Sequence, residues 1–193
     1  MAALLTPVRN DSSPVSTLSQ PHQTALLNGE ILLETRAHTA WGAGVTAQMY
    51  LPCLRDGVWQ QLIDYPRWQQ YFPDVTQSQV LQAPRVLTPE TVEKRLHQAA
   101  SKSFLFLTAQ VEVYLRVLET QQQRIQFYLE SGHFVDFSAD LHLHNCLNGT
   151  LLTYSVQATP IIPIPSVFIQ QAIHLDLPSN MRNMRRVICD LLR

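Results

Sequence analysis

Charge is scarce in this chain, and what there is nearly cancels: 15% of the residues are charged and the formal net charge is −1. A surface built to neutralise phosphates needs clustered lysine and arginine, so a nucleic-acid partner is excluded. Cysteine is rarer still, with Cys53, Cys146 and Cys189 far apart. Three scattered thiols make neither a disulfide framework nor a metal-ligand spacing, and they fit a reducing, cytoplasmic setting. Long apolar runs are missing too. The most apolar segment, Ile161 to Ile173, is broken by Pro163 and Pro165 and falls short of a membrane span. The N-terminus has no basic region ahead of an apolar core, so no secretory signal is read there. Nucleophile elbow, P-loop, GxGxxG after a strand and HExxH are all absent, which removes the common hydrolase, nucleotide and zinc-protease readings.

The first 28 residues are rich in Ser, Thr, Pro, Gln and Asn, with Arg9 and His22 their only basic side chains. They read as a disordered tail in front of one domain, residues 29–193.

Within that domain the densest information lies between Val45 and Val75. Val45, Ala47, Met49 and Leu51 alternate with polar residues, the period of a half-buried strand. Pro52 stops it. Leu54, Val58, Trp59, Leu62 and Ile63 then recur at helical spacing. Asp64-Tyr65-Pro66 breaks that helix and starts another, whose apolar side is Trp68, Tyr71 and Phe72. Asp64 and Asp74 sit where turns and helix starts favour aspartate, and are read as capping residues before an acid–base pair.

Further on, four segments alternate steadily. Val111, Val113, Leu115 and Val117 share one face. Ile125, Phe127 and Leu129 follow, then Val135, Phe137, Ala139, Leu141 and Leu143, then Leu152, Tyr154 and Val156. Ser131-Gly132-His133 and Asn148-Gly149 are turn signals between them. Such a meander has one wet face and needs a cover for the other. Phe168, Ala172 and Leu175, then Met181, Met184, Ile188 and Leu191, supply a helix at the C-terminus with Pro178 inside its pattern. His142 and His144 share a strand face, but it is the wet one, and no third ligand accompanies them, so no metal is expected.

The stretch from Pro52 resembles the opening of the polyketide cyclase / coenzyme-Q-binding branch of the START-like (SRPBCC) superfamily. The matching residues are Pro52, Trp59, Asp64, Tyr65, Trp68, Tyr71, Phe72, Pro73, Asp74 and Val75, a folding signature without chemistry. The resemblance implies an α+β helix-grip fold. In it a curved antiparallel sheet, with two short helices after its first strand, grips a long C-terminal helix, kinked or split near Pro178, over an apolar cavity. The cavity residues would be Val113, Leu115, Phe127, Leu129, Val135, Phe137, Leu152, Tyr154, Phe168, Gln171, Ala172 and Leu175, with Tyr154 and Gln171 as polar contacts. No catalytic residue and no cofactor is assigned.

The expected function is non-catalytic binding of a lipid, prenylquinone or polyketide-like molecule. The PIIPIP loop (Pro160 to Pro165) is similar to that of cyanobacterial and plastid relatives, which adds plastoquinone and pigment precursors. Two alternatives stay open: an aromatic polyketide cyclase or dehydratase, and an assembly module that holds a partner's apolar segment. The arginines of the last helix leave transient contact with a membrane surface open as well.

Overall fold

The computed structural model describes residues 19–104, 107–164 and 166–193. Nine antiparallel strands form one sheet: β1 (Leu32–Ala37), β2 (Ala43–Leu51), β3 (Val75–Val80), β4 (Arg85–Thr88), β5 (Thr91–Phe104), β6 (Leu107–Thr120), β7 (Arg124–Gly132), β8 (Phe134–Cys146) and β9 (Gly149–Pro160). Their spatial order is β1-β2-β9-β8-β7-β6-β5-β3, with β4 paired to β5. The strand that opens the aromatic stretch therefore lies beside the last strand of the meander. That long-range pairing brings the two ends of the domain together.

The helices are α1 (Gln20–Leu27), α2 (Arg55–Leu62), α3 (Trp68–Tyr71), α4 (Ser166–Gln171) and α5 (Leu177–Leu191), with a 3-10 turn at Tyr65–Arg67 running into α3. Between α4 and α5 lies one π turn, Ala172–Asp176, in which the Leu177 amide donates to the Ala172 carbonyl, five residues back. Pro178 explains it. Proline has no amide hydrogen to offer one turn back, and the chain widens that turn rather than leaving it broken. The irregularity expected near Pro178 is thus a π turn just ahead of it.

The core lies between the sheet's inner face and α2, α3 and α5. Trp68 centres its aromatic part, with rings of Tyr65, Phe72 and Phe127 at 6.1, 5.7 and 5.2 Å and its Nε1 donating to the Leu62 carbonyl at 2.9 Å. The expected cap at Asp64 is an ion pair instead: its carboxylate meets Arg67 Nε at 3.0 Å and makes no cap bond.

The proposed tail needs a correction in its described part. Residues 1–18 lie outside the described residues, but Gln20–Leu27 is helical, and Leu26, 4% exposed, packs with Cys146 and Leu151. Leu26 is the one buried residue of this helix, and a single buried position sets no periodicity by which to read an anchor.

Candidate ligand cavity

Strand register lines the inner face up in rows across the sheet. Met49, Leu152 and Leu143 form one row; Ala47, Tyr154, Leu141 and Ile125 the next; Val45, Val156, Ala139 and Phe127 the third; Ala43, Ala158 and Phe137 the last. The first row is sealed. In the last, all three residues keep accessible surface. β7 runs the same way, from fully buried Ile125 to partly exposed Leu129. The inner face therefore passes from closed to open in one direction along several strands at once.

The helix layer matches this gradient. Under α5 the side chains of Trp68, Phe72, Leu141, Leu152, Tyr154, Met181 and Met184 leave no room for a water molecule. At the other end, a cleft of about 450 Å³ lies between the β1–β2 hairpin and α4, lined among others by Trp41, Ala43, Ile164, Ile169 and Ile173. That volume is in the range of small-molecule sites. Tyr154 stands at the boundary. Burial pushes its hydroxyl up to about 12, yet the residue keeps accessible surface. It lies in the row between the sealed one and the rows that lead to the cleft, so its hydroxyl is the polar group of an otherwise apolar row.

The expected lining residues divide. Val113, Leu115, Phe127 and Leu152 are buried on the inner face, while Leu129, Phe137 and Tyr154 are partly buried against the core. Phe168 and Gln171 are half-buried on α4. Three assignments are corrected. Val135 is 64% exposed because β8 carries a register shift against β9 between Phe134 and Asp136. The extra residue reverses the alternation, so Phe134 packs inward, its ring 5.6 Å from that of Phe137. Ala172 is exposed and Leu175 is 65% exposed. On α4 it is Ile169 that packs against the core, and the inward positions that follow it at i+4 spacing are Ile173 and Leu177.

One inward-facing group was missed. Glu119 continues the parity of Val113, Leu115 and Val117 and is 5% exposed. Lys94 Nζ lies 2.8 Å from its Oε1, and the Tyr65 hydroxyl donates to the same oxygen at 2.6 Å. The ammonium also stands 5.2 Å from the Tyr65 ring centroid. Burial, reinforced by the carboxylate, raises the Tyr65 pKa well above normal, so it stays a proton donor. The available signal was a charged residue at the end of an apolar stripe.

His142 and His144 lie on the outer face with rings stacked 6.0 Å apart. His142 Nε2 is 3.3 Å from Asp140, which Arg124 also contacts at 3.0 Å. Burial raises the Asp140 pKa, but the hydrogen bonds from His142 and Arg124 outweigh it and hold the carboxyl at about 2. Among the described residues no group of three or more His, Cys, Asp or Glu is placed to hold a metal ion. At the open end the β1–β2 loop is tied across the sheet. His38 Nε2 meets Asp136 at 2.6 Å, Thr39 and Thr159 hydroxyls lie 2.9 Å apart, and Trp41 Nε1 donates to the Pro160 carbonyl at 3.3 Å.

Known structures share this architecture. The protein TTHA0849 from Thermus thermophilus superposes with a TM-score of 0.59 at 15% identity, over 77% of this chain and 96% of that one. A STAR-related lipid transfer protein fragment from Xanthomonas axonopodis gives 0.57 at 16% identity, over 81% and 98%. The Zhui aromatase/cyclase from Streptomyces sp. R1128 gives 0.56 at 10% identity, over 78% and 93%. At such identities the likeness is one of fold, the START-like helix grip. No curated protein matches the chain by sequence. The family model described as "Polyketide cyclase / dehydrase and lipid transport" matches residues 55–185, more than half of the chain, and the protein therefore belongs to that family.

Proposed function

We propose that this protein binds and carries one hydrophobic small molecule, held between the sheet and the C-terminal helix and admitted at the α4 end. The observation that supports this is the common gradient of the inner face, sealed beneath α5 and open beneath α4. What sets this apart from the frayed rim of a packed core is the cleft of about 450 Å³ at that end, which Ala43 of the open row also lines. The class put forward is a lipid, a prenylquinone or a polyketide-like compound, with the Tyr154 hydroxyl as orienting contact. The enzymatic reading, a cyclase or dehydratase, finds less support: Lys94 and Glu119 are spent on each other and on Tyr65, beneath the aromatic cluster at the sealed end.

Trp41, Val135, Ile161 and Ile162 are exposed around the open end. Pro160, which accepts from Trp41, pairs with Phe134 in the ladder, and the Ile161 amide donates to His133, so these apolar side chains share one rim. Such a rim suits brief contact with a membrane surface during ligand transfer, with indole at the interface. Among the described residues no helix is long and apolar enough to cross a membrane.

Ala158→Trp tests the reading, because Ala158 sits inward in the open row between Ala43 and Phe137. The wild type is expected to bind a fluorescent fatty acid or a short-chain quinone. The variant should lose about tenfold or more in affinity while melting near the wild-type temperature. Overpacking a solid core costs roughly 1–3 kcal/mol. A strongly destabilised variant, together with a wild type that binds neither probe, would remove the carrier function.

A further inference from the structure

The C-terminal helix finishes over the place where β2 ends. Pro52 closes that strand, Cys53 follows in the bend into α2, and the Leu192 side chain packs so near Gly57 that an added Cβ would meet it at 3.0 Å. Across this junction the Cys53 and Cys189 sulfurs lie 3.0 Å apart, 136 residues apart in sequence and both half-buried. A disulfide needs about 2.05 Å, roughly one ångström closer. Cys146 is held elsewhere, against Leu26 and Leu151. Cys189 also lines a cleft of about 300 Å³ with Tyr50, Arg185, Arg186, Asp190 and Arg193. Arg185 is anchored there by donating to the Gly29 carbonyl at 2.7 Å. A small anionic reagent has both room and attraction in this cleft.

We propose that Cys53 and Cys189 form an oxidation site that closes to a disulfide by exchange with a low-molecular-weight disulfide carrying carboxylates, such as oxidised glutathione. The Cys189 thiolate attacks one sulfur of the reagent, whose S–S bond breaks. One small thiol leaves, taking up the proton that Cys189 released. Cys53 then gives up its proton and attacks the Cys189 sulfur of the mixed disulfide, expelling the second small thiol. Two protein thiols are oxidised by two electrons, one reagent disulfide is reduced to two thiols, and no net proton is gained or lost. Burial, and after it the neighbouring Cys53, raise the Cys189 pKa, so exchange is slow near neutrality and accelerates as the pH rises. The bond would fasten α5 to the start of α2 at the sealed end and leave α4 and the open end free. Oxidation would hold the grip helix in place without closing the chamber.

The full-length protein is incubated with oxidised glutathione at pH 8, alkylated and digested with trypsin without reductant. The expected product joins the peptide ending at Arg55 to the peptide ending at Arg193. It is two hydrogens lighter than their sum and is separated by reductant. It should form equally in Cys146→Ser, and the oxidised wild type should melt roughly 5–15 °C above the reduced form. Persistent glutathione adducts on Cys189 without the cross-link, linkage through Cys146, or a lower melting temperature on oxidation would each overturn the proposal.

Discussion

Lys94→Met is the substitution on which the buried network can be judged most directly. Met fills much of the lysine's volume, so the change removes a charge rather than opening a cavity. What remains is a carboxylate with one hydroxyl donor and no cation, in a site where Glu119 is 5% exposed and the lysine side chain 14%. Breaking one partner out of a buried pair costs about 3–5 kcal/mol. The retained Tyr65 bond and the residual exposure reduce this to roughly 2–4 kcal/mol. For a domain of this size that is a fall in melting temperature of roughly 5–15 °C.

Thermal melts of the purified proteins read this deficit directly. Lys94→Met combined with Glu119→Gln should recover part of the loss, since it removes the unpaired charge while the amide oxygen still accepts from Tyr65. A Lys94→Met protein that melts like wild type would refute the view that this pair is desolvated.

Trp68→Ala removes three ring contacts and the donor to the Leu62 carbonyl; it should cost about 3–5 kcal/mol, read as a lower denaturant midpoint with probe affinity changed only indirectly. Asp140→Asn should cost about 1–2 kcal/mol at pH 7 after allowance for partial exposure. The Asp140 carboxyl is held at about 2, so its contribution is present above the unfolded value of about 3.9 and fades as pH falls through 2. Wild-type and variant urea midpoints should accordingly converge toward pH 2.

The fold was legible where side chains repeat with a clear period. Val45 to Leu51, Ile125 to Leu129 and Phe137 to Leu143 alternate without interruption, and the two aromatic helices are bounded by Pro52, Pro66 and Pro73. What escaped was whatever depends on one extra residue or one distant partner. The bulge at Val135 leaves no mark in a segment whose alternation runs through it on paper. The C-terminal helix offers two adjacent apolar faces, one through Ala172 and Leu175 and one through Ile173 and Leu177, and only packing against the sheet selects the second. The pairing of β1 with β2, Leu32 against Gln48 through Ala37 against Ala43, is likewise a matter of register. Glu119 lies one step past the apolar stripe that ends at Val117, and its burial follows from partners far away in sequence, Lys94 and Tyr65. A cavity between sheet and helix was implied by the family resemblance rather than by composition, since packed core and cavity wall use the same residues.

The π turn gives the C-terminal helix one amino acid of slack. It spends five residues where an α turn spends about four, and the segments on either side, through Ile169 and Met181, still sit against the core. Loss of one residue within Ala172–Asp176 takes up that slack, at the cost of the bond Pro178 cannot donate, while both flanks keep their seats. The same loss midway along α5 would rotate Met184 and Ile188 by about 100° off the sheet. Length variation among descendants of this chain is thereby steered to a single turn beside the cleft at α4, and the packing beneath α5 stays untouched.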